Sequence, residues 1–217
     1  MSDEEVRDAE LIGARVPFEE LPIIDIGALL DGSATAKAET AAALGAAARD
    51  IGFFYVRNHG VPQAVIDAFF DRMVRFFELP AEEKMKTRID KDGERMGYVP
   101  VGQQRTNDFD DDAEGDLAEG YDIGLELSPD DPDAAYPFYG PTLWPAEPPG
   151  FRDAMLTYID AMIGLSRRTL GGLALSLGLE EDVFTPYLKK PIVLLSPHHY
   201  PPQSGHITRK RLGVGAH

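Results

Sequence analysis

"IGFFYVRNHGVP", residues 51–62, is the stretch on which the reading of this chain turns. Phe53, Phe54, Tyr55 and Val56 are aromatic or β-branched, side chains that fit a pleated, half-buried surface. Asn58, Gly60 and Pro62 follow, and residues of these types punctuate strand ends. The stretch is therefore expected to be a strand closed by a turn. At Pro62 the pattern changes to a helical one, with proline in the first turn, where its missing N–H costs nothing. Val65, Ile66, Phe69, Phe70, Met73, Phe76 and Phe77 recur at three- and four-residue steps, which predicts one apolar stripe on a helix. Leu79 and Pro80 end it, and "AEEKMK" (81–86) adds a short charged helical turn.

Upstream, "LPIIDIGALL" (21–30) predicts a short strand through Ile23, Ile24 and Ile26, bounded by Pro22 and Gly27. Residues 35–52, "TAKAETAAALGAAARDIG", are alanine-rich and favour a helix, with Gly52 at its C-terminal cap. Downstream, residues 88–149 are rich in Gly, Pro and Asp and predict a long irregular segment with short apolar pieces, "GYVPV" and "YDIGLEL". Residues 150–177 carry a helical apolar period that Gly178 stops, and Gly171-Gly172 inside it predicts close packing against another element. "PIVLLSPHHYPP" (191–202) reads as a strand and "RLGVGAH" (211–217) as the start of another. So little β structure at the chain's end would leave open edges, and an incomplete domain is expected.

Composition narrows the function. The 217 residues are 43% apolar, enough for a packed core. No apolar run approaches a membrane span, and the acidic start "MSDEEVRDAE" has no apolar leader core, so a cytoplasmic protein without membrane contact is expected. With no cysteine, disulfides and thiolate ligands are excluded, and a metal must be held by His, Asp or Glu. The balance of 37 acidic to 21 basic residues, a net charge of −16, disfavours nucleic acid as a partner. Residues 106–151 contain no Lys or Arg. Their carboxylates lack the spacing of a calcium loop and read as a solvated acidic loop.

Five histidines are the candidate chemistry: His59, His198, His199, His206 and His217. His59, at a strand end before a turn, is expected to be structural. His206 lies in a polar loop and no role follows. His198 and His199 are neighbours on a strand and point to opposite faces, so they cannot readily share a metal. His198 and Tyr200 share a face. That face either lines a pocket or is a half-buried strand with satisfied polar tips. His217 follows "GVGA", whose small residues allow close approach, yet by itself it points to nothing.

Taken together, "LPIIDIGALL", "AAARDIGFFYVRNHGVPQAVIDAFFDRMVRFFELPAEEK", "HHYPPQ" and "LGVGAH", in this order, change that weighting. From about residue 21 onward the chain resembles the isopenicillin N synthase-like family of non-haem Fe(II) oxygenases, most of which use 2-oxoglutarate. The resemblance implies an α+β fold: a mixed α/β N-terminal region leading into a double-stranded β-helix, or jelly-roll, core that is incomplete in this chain. It divides the chain into a polar lead-in (1–20), an N-terminal dioxygenase-type region with a long acidic loop (21–149), and the long helix with the first strands of the jelly roll (150–217). It implies iron held by a His-x-Asp pair and a distal His, with sites left open for co-substrate and oxygen. His217 matches the first iron ligand, and the motif's Asp would lie beyond it. Tyr200 matches a tyrosine that binds the co-substrate's carboxylate. His198 stands where plant members commonly have Asn, and with Tyr200 it is expected to position the co-substrate. No catalytic acid or base is assigned.

The implied cofactors are Fe(II), 2-oxoglutarate as co-substrate, and O2, acting on a small-molecule substrate to give succinate and CO2. Two alternatives stand beside this reading. One is an isopenicillin N synthase-like oxidase that does not use 2-oxoglutarate. The other is a catalytically inactive truncated fragment lacking most of the iron site, which is the expectation if these 217 residues act alone. Neither the substrate nor the oligomeric state is legible in the sequence.

Overall fold

A computed structural model describes residues 21–89, 96–106, 115–136, 139–203 and 212–214. His206 and His217 lie outside the described residues. The chain forms two compact units, neither of them a single stretch: residues 1–60 with 164–188, and residues 61–163 with 189–217.

In the first unit, β1 (Ile23–Asp25) pairs in parallel with β2 (Tyr55–Arg57), Ile24 opposite Val56. Alternation along β1 buries Ile24 and leaves Ile23 exposed. Helix α1 (Ala28–Asp31) and the longer α2 (Ala34–Asp50) come between the strands. Ser33 caps α2, its side chain accepting from the Ala36 amide at 3.3 Å. At the other end Gly52, with φ of 85°, turns the chain while its amide bonds the Ala47 carbonyl. Ile24, Ile26, Leu29, Leu44 and Ala47 form the core, with Leu165 and Leu173 of the long helix α5 (Phe151–Ser176) against them. Gly172 makes that packing possible, because a Cβ there would lie 2.7 Å from Leu44 Cδ1 and 2.9 Å from Leu29 Cδ1. The close approach expected from the glycine pair is present.

The second unit holds α3 (Gln63–Phe77), α4 (Ala81–Met85) and the first part of α5. Its strands are β3 (Tyr98–Val99), β4 (Glu119–Tyr121), β5 (Ile123–Gly124), β6 (Leu194–Leu195) and β7 (His198–His199). They form an antiparallel sheet in the order β3-β4-β7 and a separate β5-β6 pair. The core gathers Phe69, Met73, Phe76, Tyr98, Tyr121 and Phe151. The Phe76 ring stands edge-on to Tyr121 at 4.8 Å and lies 5.3 Å from Phe151. The seven-residue stripe of α3 is narrower than its sequence suggests. Phe69, Met73 and Phe76 are buried, whereas Phe70, one step further round the helix, is 57% exposed.

The stretch 191–202 forms two short strands rather than one. Pro197 has no N–H to donate, so the ladder breaks there; β6 pairs with β5 and β7 with β4. The Pro197 carbonyl instead accepts from the Tyr121 amide at 3.1 Å. Of "RLGVGAH", the described residues 212–214 are irregular, with the Leu212 carbonyl accepting from the Leu117 amide. Among the described residues no helix is long and apolar enough to cross a membrane.

Candidate functional site

The β7 segment sorts its side chains by alternation. His199 faces one way, into a buried polar cluster. Its Nδ1 lies 2.8 Å from Glu119 Oε1, and its ring packs against Phe77. Glu119 is the cross-strand partner of His199 in the β4-β7 register. Its other oxygen accepts from Lys84 Nζ at 2.6 Å and from the Tyr98 hydroxyl at 2.5 Å. Glu119 and Lys84 are 4% and 7% exposed, so an ion pair sits inside the fold. Burial alone would raise the Glu119 carboxyl. The hydrogen bonds from Lys84, Tyr98 and His199, with the charge of Lys84, outweigh it and hold the group below its ordinary value. The Tyr98 hydroxyl is pushed up, first by burial and then by its bond to Glu119.

His198 faces the other way, with Tyr200 two residues on. Both line a cavity of about 200 Å³, together with Thr106, Asp116, Ala118 and Gly213. Gly213 approaches the Tyr200 ring closely, since a Cβ there would lie 3.2 Å from it. The His198 ring lies over Gly120, where a Cβ would come within 3.3 Å of Nδ1. Asp116 is already engaged: its two oxygens accept from the Thr106 amide at 3.1 Å and the Thr106 hydroxyl at 3.0 Å. The Tyr200 phenol and the His198 imidazole, which share a strand face, thus both belong to this cavity wall, and Gln104 is also among its lining residues. Behind His198, Ser196 Oγ lies 3.2 Å from Nε2 and donates to Asp122 Oδ1.

A larger cleft, of about 540 Å³, lies between β1 and α2. Its lining includes Ile23, Ile24, Ala43, Ala46 and Ala47, with carboxylates at Asp25, Glu39 and Asp50. Apolar side chains and like charges do not bring donors together on a ligand, so the smaller cavity is the candidate site.

The iron implied by the sequence finds no ligand set among the described residues, where no group of three or more His, Asp or Glu could hold a metal ion. His217 lies outside those residues. His59 is half-buried, and its carbonyl accepts from Arg168. Ser196 was legible by alternation as a face-mate of His198 and was missed. Asp122, Thr106 and Asp116 carried no local signal, because they reach the site through tertiary contacts.

A family model described as "non-haem dioxygenase in morphine synthesis N-terminal" matches residues 21–147. Azadirone synthase LFS of Melia azedarach is 41% identical over 148 residues, 67% of this chain and 43% of that protein. The 2-oxoglutarate-Fe(II) type oxidoreductase ppzC of Metarhizium majus (strain ARSEF 297) is 32% identical over 221 residues, 91% of this chain and 57% of that one. Among solved structures, a putative 2OG-Fe(II) oxygenase family protein from Caulobacter crescentus superposes with a TM-score of 0.73 at 29% identity, covering 86% of this chain and 58% of that one. The chain spans about half the length of the curated relatives it matches. With the family match covering more than half of its residues, the chain belongs to the family of non-haem Fe(II)/2-oxoglutarate dioxygenases.

Proposed function

We propose that this chain belongs to a cytoplasmic dioxygenase that oxidises a small organic substrate with O2, coupled to conversion of 2-oxoglutarate to succinate and CO2. The observation that carries the reading is the convergence of the Tyr200 phenol and the His198 imidazole on one cavity wall. It gains support from the family to which the chain belongs and from the printed name of the Metarhizium relative.

In this reading the Tyr200 hydroxyl donates to a carboxylate oxygen of 2-oxoglutarate, with His198 beside it on the same wall. Fe(II), when bound, supplies the oxygen chemistry, and His217 is one of its ligands. Residues 150–217 then contribute the start of the jelly-roll core, following the dioxygenase-type region 21–149 and the lead-in 1–20.

The test is O2 consumption by the purified protein with Fe(II) and ascorbate, with and without 2-oxoglutarate. Uptake that depends on 2-oxoglutarate, with succinate formed in step, is expected. Uptake indifferent to it would replace this reading with an oxidase that does not use 2-oxoglutarate. No uptake, together with no binding in an iron titration, would replace both with an inactive chain.

A further inference from the structure

Ser196, His198 and Tyr200 alternate along one stretch; His198 and Tyr200 line the cavity, while Ser196 and Asp122 are linked to it through His198. Asp122 lies between β4 and β5, while Ser196 lies between β6 and β7. Ser196 Oγ is 2.5 Å from Asp122 Oδ1 and 3.2 Å from His198 Nε2. The directions of these two bonds follow from the hydrogens available. A carboxylate only accepts, so the single hydroxyl hydrogen of Ser196 goes to Asp122. Ser196 then has only lone pairs left for His198, so Nε2 must be the atom that carries a hydrogen. In the neutral ring Nδ1 is bare. That edge stands close over Gly120, where a Cβ would come within 3.3 Å of Nδ1 and 3.4 Å of Cε1.

We propose that Asp122 and Ser196 are positioning residues that hold His198, a residue of the cavity wall, as its Nε2–H tautomer, which leaves Nδ1 as the ring's hydrogen-bond acceptor. A neutral ring held this way does not donate to a carboxylate through Nδ1. It suits a ligand bearing a hydroxyl or an N–H. The carboxylate of 2-oxoglutarate is left to Tyr200, and His198 recognises a donor group on the organic substrate. The identity of these two ligands rests on the proposed function; the tautomer does not.

The experiment is a long-range proton–nitrogen correlation spectrum of the full chain labelled with nitrogen-15 in its histidines, recorded at pH 8. The His198 signals are identified as those missing in His198→Asn. An Nε2–H pattern is expected in the parent protein and in Ser196→Thr, which keeps the hydroxyl. Ser196→Ala should lose the single-tautomer pattern. An Nδ1–H or doubly protonated ring in the parent overturns the proposal, as does a Ser196→Ala spectrum unchanged at His198. Should Ser196→Ala fail to fold, the parent spectrum alone decides. The readout requires neither metal nor turnover, so a protein that consumes no O2 still answers it.

Discussion

His199 and Glu119, 80 residues apart in sequence, meet across the β4-β7 pair with Nδ1 2.8 Å from Oε1. This contact sits on the face of β7 opposite His198. A one-residue slip of the strand would exchange the two faces and carry His198 and Tyr200 away from the cavity. The buried cluster around Glu119 therefore also sets the aim of the candidate site.

Removing Glu119 strands a cation. Lys84 Nζ would lose its carboxylate and keep the Phe77 carbonyl, at 3.1 Å, and the face of the Tyr98 ring, 5.6 Å to its centroid. Glu119→Ala is expected to lower the unfolding free energy by about 3–5 kcal/mol, the cost of a buried charge left unpaired. Lys84→Met combined with Glu119→Leu should cost clearly less, because no charge remains to be buried. Urea unfolding of the three proteins checks this.

The same group predicts an acid dependence. The Glu119 carboxyl is held below its ordinary value of 4.5 in the fold. Its stabilising contribution is therefore present above about pH 4.5 and is lost as the pH falls through the folded value. The stability gap between the parent and Glu119→Gln should narrow on acidification below that pH. A gap that widens instead would contradict the assignment.

On α3, burial and not residue type should decide cost. Phe76 is fully buried among Tyr98, Tyr121 and Phe151, so Phe76→Ala should cost about 3–5 kcal/mol. Phe70→Ala, at an exposed position, should stay within about 0.5 kcal/mol. Denaturation midpoints of the two variants make the comparison.

Gly97 permits a close backbone crossing. A Cβ there would lie 2.3 Å from the Thr87 carbonyl oxygen, the acceptor of the Tyr98 amide bond. Gly97→Ala must move one backbone segment or the other. A loss of about 1–3 kcal/mol is expected in the same denaturation measurement.

Tyr200 tests the site apart from the fold. Its side chain is about half exposed, so Tyr200→Phe should leave stability within about 0.5 kcal/mol. If its hydroxyl donates to the co-substrate's carboxylate, the KM for 2-oxoglutarate should rise about tenfold or more. An unchanged KM would remove Tyr200 from the binding role.

Much of the architecture was readable from local signals. The strand at 55–57, the amphipathic helix after Pro62 and the long helix closed by Gly178 each follow from periodicity and from residues that favour strand or helix ends. The sharing of a face by His198 and Tyr200 followed from the two-residue period of a strand. The exposure of Phe70 was harder to read, because it depends on what lies beside the helix, whereas the break at Pro197 has a local cause in the proline's missing N–H.

The sequence by itself determined the family, the order of elements and the pairing of His198 with Tyr200, since these rest on contiguous motifs and on backbone geometry. Only the tertiary structure decided that the paired face lines a cavity, that His199 meets Glu119, and that Asp122 reaches His198 through Ser196. Asp122 and Ser196 stand 74 residues apart, and strand register alone brings them within hydrogen-bond reach. Register arises from burial and pairing summed over many residues, so no local stretch of sequence encodes it.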